Sequence, residues 1–304
     1  MPLQSFRGPL PPLTSEQTAL RDELRRHVEK LAGEIGERNV FKPANLKAAA
    51  DYIQASLTSA GHEVARQSFK ASSEVCDNLE VEIAGTTNPN EIIVIGAHYD
   101  SLLGTVGADD NASGVAGLLA LARLWTSRQS ERTLRFVAFV NEEPPFFQEP
   151  GMGSLVYAKR CRERGEKIVA MLSLESLGFY TIAKGSQKYP PPLSLFYPSR
   201  GDFIGFVGRT RDVSLVRRCV RTFRQNAQFP SEGGALPGWL PGIGWSDHWA
   251  FWQAGYPALM VTDTAPFRNP FYHTAGDTQD TLDYDRLARV VAGLDKLIED
   301  LADR

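Results

Sequence analysis

Three nearly continuous apolar runs constrain this chain more than any other feature: "EIIVIGA" at 91–97, "LRFVAFV" at 134–140 and "IVAMLSL" at 168–174. None shows the strict alternation of a half-buried strand. Each must therefore be covered on both faces, as happens in a parallel or mixed sheet sandwiched between helices. The stretches between and beyond them agree, because "ASGVAGLLALARLW" (112–125), "GSLVYAKRCRER" (153–164), "LVRRCVRTFRQ" (215–225) and "DRLARVVAGLDKLIEDLA" (285–302) have helical periodicity, with "PALMVT" (257–262) as a further strand. Apolar strands alternating with helices predict an α/β fold.

Upstream, "SEQTALRDELRRHVEKLAG" (15–33) predicts a helix with a Ser-x-x-Glu/Gln type start and a glycine stop, and "PANLKAAADYIQASLTSAG" (43–61) predicts a second. The alternating stretches "HEVARQSFK" (62–70) and "NLEVEIAG" (78–85) predict strands. Residues 1–14 read as a Pro-rich arm ahead of a single domain at 15–304, a length one large α/β domain can fill. The Pro-, Gly- and aromatic-rich stretches 185–202 and 229–245 read as loops, long enough to be functional.

A net charge of −3 and the lack of any Lys/Arg block interleaved with aromatics exclude a nucleic-acid footprint. The apolar runs fall short of the roughly 18 to 20 residues of a membrane span. The start "MPLQSFRGPLPPL" lacks the charged and apolar segments of a leader, which predicts a cytoplasmic chain and leaves an exported form open. Cys76, Cys161 and Cys219 are scattered, so a bound metal would be held by oxygen and imidazole.

Five clusters of such groups fall at strand ends or in the loops just after them, where open α/β sheets place their sites. His98 and Asp100 sit at i and i+2 of an extended segment, so the carboxylate can accept a hydrogen bond from one imidazole nitrogen while the other binds a metal. A solvated strand end is the alternative. Asp109, Asp110, Asn111 and Ser113 crowd the start of a helix that needs one N-cap, and the surplus suits a cation-bridging carboxylate. Glu142 and Glu143 follow an apolar strand, where an unpaired carboxylate is costly to bury. Glu175 ends another strand, and His273 lies in an acid-rich loop that could support it. With Asp110, Glu143 and Glu175 as ligands, three negative charges meet the four positive charges of two zinc ions, and a bridging hydroxide makes the core neutral. Adjacent glutamates diverge in an extended chain, so one can ligate while the other serves as general base.

In this order, "GAHYDS", "GADDNASG", "NEE", "LSLE", "SDHWAFWQAGYPA" and "YHTAGDTQDTLD" resemble the zinc-dependent exopeptidases of metallopeptidase family 28, the bacterial leucyl aminopeptidase group, over roughly residues 40–300. The resemblance implies a three-layer α/β/α sandwich around a mixed, mostly parallel sheet. It implies His98 and Glu175 on one zinc, Glu143 and His273 on the other, and Asp110 bridging both. Asp100 would orient His98, Glu142 would be the general base, and a non-proline cis peptide would follow Asp110. Cobalt or manganese can occupy such a site. Some members place an oxyanion-stabilising tyrosine where this chain has Ile243, so Tyr272 and Ser246 are the candidates here for contacting substrate or oxyanion.

The function implied is a di-zinc aminopeptidase acting on peptides. The alternatives are a single-zinc glutaminyl cyclase, a carboxypeptidase or dipeptidase of the same fold, or a binding module without catalysis. His27 and His62 are read as surface or packing residues and His248 as a supporting one. Aromatics in "EEPPFF", "LPGWLPGIGW" and "HWAFW" are candidates to line an apolar side-chain pocket.

Overall fold

The computed structural model describes residues 1–303. Among these residues eight strands form one sheet: β1 Ala65–Ala71, β2 Glu74–Ile83, β3 Asn88–His98, β4 Arg132–Phe139, β5 Lys167–Glu175, β6 Ile204–Arg209, β7 Ser231–Leu236 and β8 Ala258–Thr262. The spatial order is β1-β2-β4-β3-β5-β8-β6-β7. The central β4, β3, β5 and β8 run parallel, β6 pairs antiparallel with β8 and parallel with β7, and β1 and β2 close the other side antiparallel. This is the mixed, mostly parallel sheet that the apolar runs require.

Among the described residues seven α-helices flank it: α1 Ser15–Val28, α2 Pro43–Ser59, α3 Gly114–Trp125, α4 Gly153–Glu163, α5 Val213–Asn226, α6 His248–Gln253 and α7 Tyr284–Ala302. Ile93, Ile95 and Ala97 of β3 pack with α1, α2, α3, α5 and α7, while Ile92 and Val94 point the other way onto α4 and α6. Side chains alternate across a strand, so a run buried in both cores must be apolar at every position. α3 lies against the sheet beneath α1, α2 and α7, and almost every residue on it is buried.

The predicted helix at 15–33 is realised as α1 followed by a π-helical turn over Glu29–Ile35 that ends at Gly36. Its cap is Thr14, one residue earlier than the Ser-x-x reading: the hydroxyl accepts from Gln17 N, and the Gln17 side chain accepts from Thr14 N. Residues 229–245 are not all loop, since β7 lies inside them. "SEGGAL" carries two glycines and no β-branched residue, so local propensity is silent there. Pairing with β6 makes the strand, and Gly233 admits Val220 of α5 and Met1, which a Cβ would meet at 2.7 and 2.9 Å. β6 and the short α6 likewise carry no periodicity long enough to read.

Residues 1–14 lie along α5, β7 and α7. Arg224 donates to the carbonyls of Pro2 and Leu3, Ser231 N donates to Ser5 Oγ, and Arg289 donates to the Pro11 carbonyl. No helix of the described residues is long and apolar enough to cross a membrane.

Candidate metal centre

Because β4, β3 and β5 are parallel neighbours, their C-terminal ends open on one edge, bringing together His98, the Glu142–Glu143 turn and Glu175. Asp110 comes from the kinked turn Ala108–Ser113 before α3, with a cis peptide to Asn111, and His273 from the loop between β8 and α7. The two oxygens of Asp110 face different partners. Oδ1 is 3.2 Å from His98 Nε2, which is 3.3 Å from Glu175 Oε2. Oδ2 is 3.1 Å from His273 Nε2, which is 3.5 Å from Glu143 Oε2. Two triads able to hold a metal ion, His98–Asp110–Glu175 and Asp110–Glu143–His273, therefore share one carboxylate. A tetrahedral ion with ligands at about 2.0 to 2.1 Å sets them about 3.3 Å apart, which is the spacing observed.

The centre is buried except at His273, whose side chain is 33% exposed, and it is electrostatically incomplete. Both nitrogens of His98 and Glu143 Oε1 have no hydrogen-bond partner. Burial, and after it the charge of Asp110, pushes Glu143 up to about 7. Burial also drives Glu142 well above the usual carboxylate range, reinforced by Glu143 and Glu175 against the pull of His98. His273 is lifted to about 10, its contacts to Asp110 and Glu143 outweighing burial. Such crowding is costly for the protein alone, and a dication among these groups reverses the balance. The donor set of carboxylates and imidazoles fits zinc.

A second ring of contacts holds the first. Asp100, expected to accept a hydrogen bond from His98, lies 3.6 Å from its Nδ1, an ion contact only. Its oxygens instead accept the amides of Glu142 and Glu143, each at 3.1 Å. Asp277, in the acid-rich loop, accepts from Asp109 N and Asp110 N at 2.8 and 3.1 Å. Asn111 donates to the Leu174 carbonyl and accepts from Gly114 N and Ser176 N, tying the turn to the end of β5. A Cβ at Gly114 would lie 2.2 Å from Asn111 Oδ1, so only glycine allows that approach. Asn141, Ser176 and His273 have φ of 61°, 49° and 58°, a left-handed conformation costing about 1 to 3 kcal/mol each, clustered beside Glu142 and Glu175 and at His273 itself.

Ser246 requires a correction. It is fully buried, donates to Glu175 Oε2 at 2.7 Å and meets Ser173 Oγ at 2.7 Å, so its hydroxyl holds a carboxylate and does not face the cavity where an oxyanion would form. Tyr272 does line that cavity, together with Asp110, Glu142, Glu143, Glu175 and His273. Its ring stacks on His273 at 3.8 Å, and its hydroxyl makes no hydrogen bond among the described residues. Pro144 and Phe147 of "PPFF" form part of the wall, whereas Phe146 packs in the core.

His248 is buried, bonds the Ile243 carbonyl at 2.7 Å and is pushed down to about 4 by burial, so it anchors a loop to α6. His27 meets Tyr52 Oη, and His62 the Ala122 carbonyl. Asp247 went unassigned in the sequence. It is fully buried with neither carboxylate oxygen hydrogen-bonded, and burial raises it to about 7 against the charge of His98. The "SDH" triplet was its only signal.

Comparison with known proteins places the chain in a family. The chain is 41% identical over 286 residues to the uncharacterized protein YfbL of Escherichia coli (strain K12), covering 91% of this chain and 87% of the relative. Its fold matches a zinc aminopeptidase from Bacillus subtilis with a TM-score of 0.73 at 15% identity, over 93% of this chain and 95% of that one. It also matches a glutaminyl cyclase from Bacteroides thetaiotaomicron with a TM-score of 0.69 at 17% identity, over 92% and 97%. The model of peptidase family M28 matches residues 78–297, the span that carries every group of the centre from His98 to His273, and the chain belongs to that family of metallopeptidases.

Proposed function

We propose that this protein is an aminopeptidase that removes N-terminal residues from peptides, with two zinc ions, one held by His98, Asp110 and Glu175 and the other by Asp110, Glu143 and His273. The observation that carries the reading is the divided carboxylate of Asp110, 3.2 Å from one imidazole and 3.1 Å from the other. When bound, such ions supply Lewis-acid polarisation of the scissile carbonyl and a water of lowered pKa.

Glu142 stands on the cavity wall beside Glu143 with its pKa raised by burial. Its carboxylate takes a proton from the attacking water as the C–O bond forms and returns it to the departing amine as the C–N bond breaks. Asp100 acts through others, since one carboxylate holds both glutamate amides and faces His98. Tyr272, its hydroxyl unpartnered, donates to the carbonyl oxygen as that oxygen becomes negative. An apolar cavity that shares Glu175, Trp245 and Tyr272 with the centre supports the reading, because it gives a first side chain somewhere to go.

Zinc analysis combined with a panel of aminoacyl amides and Gln-initiated peptides tests this. About two zinc ions per chain with release of free amino acids is the expected result. About one zinc per chain with conversion of Gln-peptides to pyroglutamyl peptides makes the chain a glutaminyl cyclase, the second reading, which the likeness to the Bacteroides enzyme favours. Zinc uptake without turnover of any peptide leaves a binding module.

A further inference from the structure

The cavity beside the centre is partly open to solvent and runs away from Glu175 over the β8, β6 and β7 end of the sheet. Its floor is one row of paired residues. Glu175 of β5 lies opposite Thr262 of β8, Thr262 opposite Gly205 of β6, and Gly205 opposite Glu232 of β7. With neighbouring strands about 4.8 Å apart, the α-carbons of the two glutamates are about 14 Å from each other. Between them stand the small side chain of Thr262 and Gly205, which has none, and Tyr189, Leu193, Tyr197 and Phe203 form largely apolar walls. The result is an apolar trough with a carboxylate at each end, one belonging to the metal centre and the other so far without a role.

Glu232 is held in an unusual way. Its side chain is 23% exposed, and among the described residues its one close ion contact is Arg224 Nη2, 3.5 Å from Oε2. Arg224 is committed elsewhere: Nε donates to Ser231 Oγ, Nη1 to the Pro2 and Leu3 carbonyls, and Nη2 to the Ser231 carbonyl. Among the described residues nothing donates a hydrogen bond to Glu232. Burial raises its pKa against the pull of Arg224, Arg7 and the N-terminal ammonium, and its acceptor sites remain free for a donor arriving along the trough.

We propose that Glu232 reads the tip of the substrate's N-terminal side chain, selecting long side chains with an apolar stem and a hydrogen-bond donor at the end, as in tyrosine, lysine and arginine, over those that end in carbon. This rests on the aminopeptidase reading. A leucine side chain stops in the near half of the trough. A longer stem covers the apolar floor opened by Gly205, and its terminal N–H or O–H meets the carboxylate on β7. A phenol and a cationic head share this chemistry, and the test separates them.

Matched pairs of aminoacyl anilides, Tyr against Phe and Lys against norleucine, are compared by kcat/KM in the zinc-loaded enzyme, in Glu232→Leu and in Glu232→Gln. The ratio within a pair does not depend on how much of each protein is folded. In the native chain the donor-tipped member is favoured about tenfold in at least one pair, the worth of a hydrogen bond to a charged group. Glu232→Leu brings that ratio to about one, the loss of a single contact. In Glu232→Gln, a retained Tyr preference identifies a neutral donor and a lost Lys preference a cationic head. Equal rates within both native pairs, or ratios untouched by Glu232→Leu, overturn the inference alone. No hydrolysis of any of the four substrates overturns the aminopeptidase reading and the inference with it.

Discussion

Replacing Asp100 with asparagine probes how one carboxylate supports both the proposed base, Glu142, and a proposed ligand, Glu143. Its two oxygens accept the amides of Glu142 and Glu143 at 3.1 Å each, in a site where Asp100 is 2% exposed and water cannot substitute. A hydrogen bond to a charged acceptor contributes about 1.5 to 3 kcal/mol, and a buried donor left unsatisfied costs about 1 to 3 kcal/mol. Asp100→Asn turns one oxygen into an NH₂ that faces an amide donor and leaves the other as a neutral acceptor. One bond is lost and one weakened, so the zinc-free protein loses about 2 to 4 kcal/mol of stability. His98 also loses its anionic neighbour, and zinc affinity falls about 10- to 100-fold, the usual effect of removing a partner of a ligating imidazole. Urea unfolding of the zinc-free proteins measures the first effect and competition with a chromogenic chelator the second. Zinc-free stability equal to that of the native chain would refute the reasoning, because the amide contacts would then not be holding the glutamate turn.

Three further outcomes follow from the same geometry. Glu142→Gln keeps its zinc and loses about 10²- to 10⁴-fold in kcat, the contribution of a positioned general base, as steady-state turnover with metal analysis of the same sample will show. Ser246→Ala removes the hydroxyl that donates to Glu175 at 2.7 Å, so one class of zinc weakens about 10- to 100-fold in a chelator titration while the class held by Glu143 and His273 does not. The zinc-free protein loses stability as pH rises from 6.5. His273 is raised from 6.5 to about 10, and Asp277 from 3.8 to about 8 chiefly by burial. In that range the folded state holds protons the unfolded chain has released, so the slope of unfolding free energy with pH is negative. Added zinc opposes this trend, because its ligands bind it deprotonated, and thermal melts at several pH values with and without zinc will show whether the sign is right.

Much of the centre was legible because its chemistry lies at strand ends. His98, Glu142, Glu143 and Glu175 are marked by apolar runs on their N-terminal side, a pattern that is local and needs no knowledge of neighbours. Asp277 was visible only as part of an acid-rich loop, and its grip on the amides of Asp109 and Asp110 joins residues 168 and 167 positions apart. Ser246 was visible only as a hydroxyl of the "SDH" motif, and nothing local says whether such a group faces a cavity or a carboxylate. β7 was hidden because one of its two glycines, Gly233, serves close packing against Val220 of α5, a need that arises only when α5 is in place.

The amino-acid sequence by itself therefore determined the α/β class, the burial of the central strands on both faces and the types of group gathered at their C-terminal ends. Periodicity and strand-end chemistry are properties of a few consecutive residues. Only the tertiary structure decided that the two oxygens of Asp110 serve different imidazoles, that Asp100 holds two backbone amides, and that Glu175 and Glu232 stand at opposite ends of one trough. Those relations depend on the register of non-consecutive strands and on where loops return, and a carboxylate's role is set by the atoms brought to within about 3 Å of it.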